Sequence, residues 1–264
     1  MSLRGELAVV IPARNECDRI GATVRAAARI PGVDIVVVVD DGSDDGTGSE
    51  ATAAGATVVR HARNRGKAAA METGAEAVRV IEAERGGIGP APRGTPSNAV
   101  ARSRHLLFLD ADLAETAAHA GPLAEPVLAG RADMTIAVFS TRVKRAGHGL
   151  VTGLSGAGIE RATGWRPTEP LNGQRCLTRL AYEAARPLAP GWGAETGLTI
   201  DLLRKGMRIA EVEVPLAHRA TGKDIGSQVH RARQLLGVAR ALAERQPWRH
   251  ATARPDGQVA EQAI

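Results

Sequence analysis

The sequence predicts an α/β protein in which helices flank a mostly parallel β-sheet. Short apolar runs alternate with amphipathic segments along the 264 residues, which is the order that βαβ units produce. One of these runs, Ile35–Val39, is continuous and β-branched, as expected of a strand buried on both faces. Charged residues follow several of the runs, at the strand ends where parallel sheets bind their ligands. We therefore expect one sheet with right-handed crossovers and a ligand site at one edge.

Five strands are predicted in the first half of the chain, over Leu7–Ile11, Ile35–Val39, Thr57–Arg60, His105–Asp110 and Met134–Phe139. Pro12 is expected to end the first strand. The helix that follows it has Ile20 and Val24 on one face, and Asn15 is a candidate N-cap. A longer amphipathic helix is predicted over Lys67–Ala83.

The second half of the chain is predicted to contain mainly helices and loops. The predicted elements are helices over Gly149–Thr163, Thr196–Lys205 and Ile225–Glu244, a half-buried strand over Arg208–Val214, and loops over Glu169–Gln174 and Pro190–Glu195. Residues 84–104 are rich in Gly and Pro and are predicted to be an insertion, and residues 246–264 form a polar tail. We expect a single domain over residues 1–245.

The composition excludes several classes of function. With 34 Lys and Arg against 29 Asp and Glu, 2% aromatic residues and no basic run, the chain is not expected to bind nucleic acid. No apolar run approaches the ~18 residues of a spanning helix, and no secretory leader precedes the first strand. We therefore expect a cytoplasmic protein whose cysteines, Cys17 and Cys176, are reduced thiols.

An acidic pair follows the fourth predicted strand. Asp110 and Asp112 are two residues apart, so in extended chain their carboxylates project to one side, roughly 7 Å apart. Such a pair can hold Mg²⁺ or Mn²⁺ shared with a substrate phosphate, because these hard cations prefer oxygen ligands. The same sequence also fits two solvated carboxylates in an ordinary turn.

Two further motifs lie where ligands are expected. After the second strand, the carboxylate of Asp41 can accept a hydrogen bond from a base or a ribose, and Gly42 lets the backbone approach closely. At the start of the Lys67–Ala83 helix, Lys67 stands beside a positive helix end that favours phosphate. Neither a Walker A nor a GxGxxG motif is present. Alone, each motif also fits an ordinary turn.

Taken together, these motifs carry a resemblance. PARNE, VDDGSDDGT, RGKAAA and LDAD follow one another in order, and this order resembles the GT-A nucleotide-sugar glycosyltransferases of family 2, which include polyprenyl-phosphate sugar transferases. The resemblance covers residues 6–140, the expected nucleotide-sugar-binding half, and continues more weakly through an acceptor-side half, residues 141–245. There PGWGAETGLTIDLLRKG and VPLAHR are similar to bacterial glucosyl-3-phosphoglycerate synthases. By contrast, LNGQR at 171–175 is closer to the loop of polyprenyl-phosphate transferases.

The resemblance implies a role for each matching residue. The base and ribose pocket would comprise Pro12, Arg14 and Glu16, with Asp41 and Ser43 holding the uridine, Lys67 on the diphosphate, Asp110 and Ala111 beside the ribose or sugar, and Asp112 and His218 on the metal. Asp112 would also be essential to catalysis, because the metal stabilises the departing diphosphate.

The acceptor side is implied in the same way. Glu195 would take the proton of the attacking hydroxyl in an inverting enzyme, or orient the substrate in a retaining one. The acceptor loop would comprise Asn172, Gly173, Gln174 and Arg175, with the guanidinium of Arg175 offering a forked donor to a phosphate.

The expected function is a Mg²⁺- or Mn²⁺-dependent transfer from a UDP-sugar, with UDP-glucose as the expected donor, to a phosphorylated acceptor. The acceptor is a lipid phosphate or a small acid. The basic amphipathic helix Ile225–Glu244 suits either a membrane surface or the protein core, and homodimer formation stays open. The alternatives are a sugar-phosphate nucleotidyltransferase and a non-catalytic nucleotide-sugar-binding protein.

Overall fold

The computed structural model describes residues 6–85, 103–139, 149–216 and 225–245. A seven-stranded sheet of order β3-β2-β1-β4-β6-β5-β7 lies at its centre. The strands are β1 (Leu7–Ala13), β2 (Val33–Asp40), β3 (Thr57–Arg60), β4 (His105–Phe108), β5 (Met134–Phe139), β6 (Arg175–Leu177) and β7 (Ile209–Val214). Of these described strands, only β6 pairs antiparallel with its neighbours. The predicted α/β class with a mostly parallel sheet is confirmed.

Helices cover both faces of this sheet. They are α1 (Cys17–Ala27), α2 (Thr47–Ala53), α3 (Lys67–Glu84), α4 (Gly121–Leu128), α5 (Gly149–Thr163), α6 (Arg179–Ala185), α7 (Ala194–Arg204) and α8 (Ile225–Glu244), with short 3₁₀ turns at Ala114–Ala120 and Gly191–Gly193. The buried side chains of α1, α2 and α4 form the core on one face, and those of α3, α6 and α7 form it on the other. In the part of the chain that the structure describes, no helix is both long and apolar enough to cross a bilayer.

Strand β1 runs past Pro12, so the prediction that Pro12 ends it is wrong. Pro12 pairs with Val39 of β2, and the ladder continues to Ala13. The carbonyl of Val10 faces β4, where it accepts from the N–H of Leu109, and β4 itself has ended at Phe108. Backbone groups of residues two apart point to the same side of a strand, so the nitrogen of Pro12 also faces the β4 side. Because β4 has already ended there, the missing N–H of Pro12 costs no hydrogen bond between strands.

Strand β6 is absent from the sequence prediction, which placed a loop up to Gln174. It has three residues, and its first is the charged Arg175. It nevertheless lies between two strands of the first half of the chain, because it pairs with β4 on one side and with β5 on the other. This strand attaches the second half of the chain to the sheet of the first half.

A third apolar cluster holds the acceptor-side helices together. It comprises Val151, Ile159, Ile200, Val238 and Leu242 from α5, α7 and α8. Helix α8 therefore packs part of its apolar stripe on the protein core, in agreement with one of its two predicted uses. The expected insertion at 84–104 and the polar tail at 246–264 fall mostly or wholly outside the described residues.

Helix α3 lies close to the sheet at Gly74. A Cβ at this position would overlap the Cγ1 atom of Val10 and lie 3.2 Å from the Cγ2 atom of Val39. The two valines are buried and β-branched, so neither can move aside easily. Glycine at this position therefore sets how closely α3, which begins with Lys67, approaches β1 and β2.

We predict that Gly74→Ala lowers the free energy of unfolding by about 1–3 kcal/mol, because the added methyl overpacks the core. Chemical denaturation measures the change. The control is Gly153→Ala in α5, where an added Cβ would meet no atom of the described residues within 4 Å, and there the stability is expected to stay level or rise. Equal stability of both variants would contradict the close approach of α3 to the sheet.

Candidate functional site

Three parallel strands end side by side at one edge of the sheet. The segments that leave β1, β2 and β4 carry the predicted motifs at residues 12–16, 40–47 and 110–112, and helix α3 begins nearby with Lys67. This edge is the carboxyl end of the strands, where α/β sheets bind ligands. The structure therefore brings the three donor-side motifs together.

The loop after β1 is joined to the turn after β2. The N–H of Asn15 donates to Ser43 Oγ at 3.0 Å, and the side-chain oxygen of Asn15 accepts from the N–H of Asp44 at 3.0 Å. The N–H of Glu16 donates to Thr47 Oγ1 at 2.9 Å. Asn15 adopts a positive φ of 54°, and its side chain links two loops rather than capping α1 as predicted.

These bonds place the predicted uridine residues in one region. Arg14 is exposed, Pro12 and Glu16 are partly exposed, and Ser43 is buried with its hydroxyl already accepting from Asn15. Their contact with a base or ribose stays a prediction.

Helix α1 fixes the acidic segment after β4. Arg19 donates to the main-chain oxygen of Asp112 at 3.2 Å, and Thr23 Oγ1 donates to that of Ala111 at 2.8 Å. The hydroxyl of Thr23 in turn accepts from the N–H of Ala114, whose φ is positive at 49°. The segment therefore has a fixed backbone. Nothing in the sequence had singled out Arg19 or Thr23.

Lys67 lies at the centre of the site. Its ammonium is 2.7 Å from Asp110 Oδ1 and 3.1 Å from Glu195 Oε1. Burial alone would lower the pKa of Lys67, but the two carboxylates outweigh it and raise the pKa above its ordinary value. Lys67 therefore stays charged and joins a carboxylate of the donor half to one of the acceptor half.

The predicted acceptor loop closes over this ion pair. A Cβ on Gly173 would overlap Lys67 Nζ and would lie 2.8 Å from Asp110 Oδ1. Only glycine lets the backbone come so close to the charged pair. Of the four predicted acceptor residues, Gly173 is therefore the one that the structure brings to the charged centre.

Arg175 does not have the predicted role. The residue is fully buried, and its guanidinium donates to the main-chain oxygens of Pro170, Asn172 and Glu195 and to Thr199 Oγ1, at 2.8–3.1 Å. Burial lowers the pKa of Arg175 to about 10, against the opposing effect of Glu195 and Glu211. With its donors so used, Arg175 ties the acceptor loop to the start of α7 instead of binding a phosphate.

Asn172 and Gln174 also face inward. The amide of Asn172 donates to the main-chain oxygen of Ala137 at 2.8 Å and accepts from the N–H of Gln174 at 3.0 Å. The side chain of Gln174 is fully buried, and its amide has no hydrogen-bond partner among the described residues. The hydrogen bonds of Asn172 stay within the protein, and contact of either side chain with the acceptor stays a prediction. An inward direction could not be known before β6 was located.

The side chain of Asp41 forms its hydrogen bonds within the protein. Its carboxylate accepts from His61 Nδ1 at 2.7 Å and from the N–H groups of Arg65 and Gly66, both at 2.8 Å. Burial raises the pKa of Asp41, but these hydrogen bonds outweigh it and lower the pKa below its ordinary value. Recognition of uracil by Asp41 stays a prediction.

Glu195 is the second residue of α7 and is 4% exposed. The structure therefore places this predicted catalytic carboxylate beside the predicted diphosphate lysine. Its carbonyl accepts from Arg175 and from Thr199 Oγ1, so both its side chain and its backbone are fixed.

A divalent cation at this edge would be held by Asp112 and His218. Asp112 is partly exposed after β4, and His218 lies outside the described residues. Among the residues that the structure describes, no three His, Cys, Asp or Glu side chains form a candidate metal site. A bound Mg²⁺ commonly has only one or two protein ligands and completes its coordination shell with water and substrate phosphates. The carboxylate of Asp112 suits such an ion, and the assignment to Asp112 and His218 stays a prediction.

Comparison with known proteins agrees with this geometry. Residues 8–80 match the family model described as glycosyl transferase family 2. The glucosyl-3-phosphoglycerate synthase of Mycolicibacterium paratuberculosis is 29% identical over 212 residues, which are 74% of this chain and 59% of that protein. The crystal structure of the Mycobacterium tuberculosis enzyme of that name with phosphoglyceric acid has a TM-score of 0.68 and 25% identity, over 92% of this chain and 80% of that one.

The chain resembles glycosyltransferase family 2 over residues 8–80. Its fold is GT-A, as the strand-end motifs predicted. A second structure of the M. tuberculosis enzyme, with Mn²⁺, UDP-glucose and phosphoglyceric acid, has a TM-score of 0.67 at 24% identity, over 91% of this chain and 80% of that one. The chain spans 59% of the curated M. paratuberculosis relative, which is less than two thirds of its length.

We predict that Arg175→Met lowers the free energy of unfolding by about 2–4 kcal/mol, because buried carbonyls lose their donors. Urea denaturation measures this change. Arg240→Met is the control, because Arg240 is 70% exposed in α8 and its charged partner among the described residues is Glu244, so about 0.5 kcal/mol or less is expected. If the two variants unfold at the same urea concentration, the internal role of Arg175 is contradicted.

Proposed function

We propose that this chain transfers glucose from UDP-glucose to a small phosphorylated acid of the phosphoglycerate type. One observation carries the proposal: Lys67, from the donor-side motifs, contacts both Asp110 and Glu195 while the acceptor loop closes over it at Gly173. This arrangement supports a site in which a donor diphosphate and an acceptor hydroxyl would both lie beside the same charged group.

The donor would lie along the strand ends. Its uridine would occupy the region of Pro12, Arg14, Glu16 and Ser43, and its diphosphate would approach Lys67. Two of the three N–H bonds of the Lys67 ammonium are directed at Asp110 and Glu195, so one is left for a phosphate oxygen. A divalent cation on Asp112 and His218 would supply further charge stabilisation to the departing diphosphate.

In the transfer, the acceptor oxygen forms a bond to the anomeric carbon and the bond from that carbon to the β-phosphate oxygen breaks. The acceptor proton must go to a base. Glu195 is buried and bound to Lys67, which supports an orienting role for it, with the departing phosphate oxygen taking the proton. An orienting Glu195 is the role expected of this residue in an enzyme that retains the anomeric configuration.

The inward direction of the loop side chains supports the small acceptor. The sequence LNGQR favoured a lipid phosphate because it is closer to polyprenyl-phosphate transferases. However, Asn172 and Arg175 bind carbonyls inside the protein, so this part of the motif reflects packing rather than the acceptor. The relative that matches 74% of the chain is named for a phosphoglycerate acceptor.

Release of UDP from UDP-glucose tests the proposal. The purified chain would be assayed with Mn²⁺ and with 3-phosphoglycerate, glycerol 3-phosphate or a polyprenyl phosphate in detergent. We expect UDP release that depends on 3-phosphoglycerate, together with a glucosylated product. Turnover only with the lipid phosphate would contradict the small acid as acceptor and indicate a lipid acceptor instead. Formation of UDP-glucose from UTP and glucose 1-phosphate would indicate a nucleotidyltransferase.

The control in this assay is Asp112→Ala. Loss of a metal-binding carboxylate is expected to lower kcat by about 10²–10³ without unfolding the chain, as is common for groups that stabilise developing charge. Circular dichroism verifies the fold. Near-normal turnover by the folded variant would contradict the metal assignment.

A further inference from the structure

His61 follows β3 and is 6% exposed. Its Nδ1 is 2.7 Å from Asp41 Oδ1, and its Nε2 is 3.0 Å from Thr73 Oγ1 in the second turn of α3. Because a carboxylate only accepts, Nδ1 carries a proton in this pair. The ring therefore connects the end of β2 to the helix that begins with Lys67.

Asp41 extends this connection to the residues just before α3. The carboxylate that His61 holds also receives the N–H groups of Arg65 and Gly66, so it binds the two residues preceding Lys67. A fixed internal anion therefore stands in front of the first turn of α3. The incoming phosphate predicted for this helix end would meet the ammonium of Lys67 rather than these N–H groups.

The backbone of the same loop is held from a second direction. A Cβ on Gly42 would lie 2.8 Å from the carbonyl carbon of Arg63 and from the nitrogen of Asn64, so the turn after β2 packs directly on the loop. Gly42 has a φ of +71°, which disfavours other residues. The N–H of His61 also donates to the main-chain oxygen of Asp40 at 2.9 Å.

We propose that His61 is a positioning residue for the donor site, acting through Asp41 to fix residues 65–66 and thereby the ammonium of Lys67. It touches no substrate in this proposal. The reason for a ring at this place is geometric: one side chain must reach a buried carboxylate with one nitrogen and a helix hydroxyl with the other. The inference rests on the proposed function only in that Lys67 meets the donor diphosphate.

The two nitrogens of His61 can be tested separately. In His61→Asn the amide nitrogen can take the place of Nδ1 and keep the bond to Asp41, whereas in His61→Gln the amide reaches toward Thr73 and the bond to Asp41 is lost. His61→Ala loses both bonds. A residue that only fills space would not separate the Asn variant from the Gln variant.

Calorimetry with UDP and with UDP-glucose in MnCl₂ measures the effect. We expect His61→Asn to bind within about threefold of the unaltered chain, and His61→Gln and His61→Ala to bind about tenfold or more weakly, the ratio that one charged hydrogen bond commonly supports. Thermal unfolding identifies variants that fail to fold. The proposal is overturned if folded Gln and Ala variants bind like the unaltered chain, or if the Asn variant binds as weakly as Ala.

Hydrogen exchange without any ligand separates this inference from the proposed function. The amides of Arg65 and Gly66, which donate to Asp41, are expected to exchange faster in His61→Gln than in His61→Asn. If the unaltered chain binds neither nucleotide, the proposed function fails. Unchanged exchange at residues 65–66 in the His61 variants would overturn the role of His61, whatever the outcome of the binding measurement.

Discussion

A lysine held between two carboxylates is the interaction on which the rest of the site depends. Lys67 enters from α3, Asp110 follows β4, and Glu195 begins α7, so one ammonium joins elements from both halves of the chain. Partly buried charges are costly unless they are paired, which constrains all three elements to meet at one point. Gly173 then has room beside them only because it lacks a side chain. The three groups meet close to the end of β4, because Asp110 follows that strand.

Two buried hydrogen-bonded groups, Asp41 with His61 and Arg175 with its carbonyl partners, support the three charged residues from opposite sides. On the donor side, Asp41 and His61 hold the residues that precede Lys67. On the acceptor side, Arg175 binds the carbonyl of Glu195 and the carbonyls of the acceptor loop. Both pair a charged group with backbone amides or carbonyls, and such bonds are costly to leave unmade in a dry interior. The loops of the site therefore have the rigidity that positioning a substrate requires.

The sequence predicted those features that depend on local pattern. Strands β3 and β5 and helices α5 and α8 have the predicted limits, because apolar spacing and strand-forming residues determine them. It could not predict that Pro12 lies within β1, because that depends on where β4 ends. It also could not show that Arg175 and Asn172 face inward, because the direction of a side chain needs the register of β6. No motif marked His61, whose role depends on a partner twenty residues away in sequence. The motif order nevertheless predicted the GT-A fold and the edge of the sheet at which these motifs meet.

A double-mutant cycle on Lys67→Met and Glu195→Gln, measured as kcat/KM for UDP-glucose, tests whether Lys67 couples the two halves of the site. If one ammonium joins the two halves of the site, the losses in the single variants must be strongly non-additive, with a coupling free energy of about 1–3 kcal/mol. Losses that add within about 0.5 kcal/mol would show that Lys67 and Glu195 act independently, and would contradict the joining of the two halves by one ammonium.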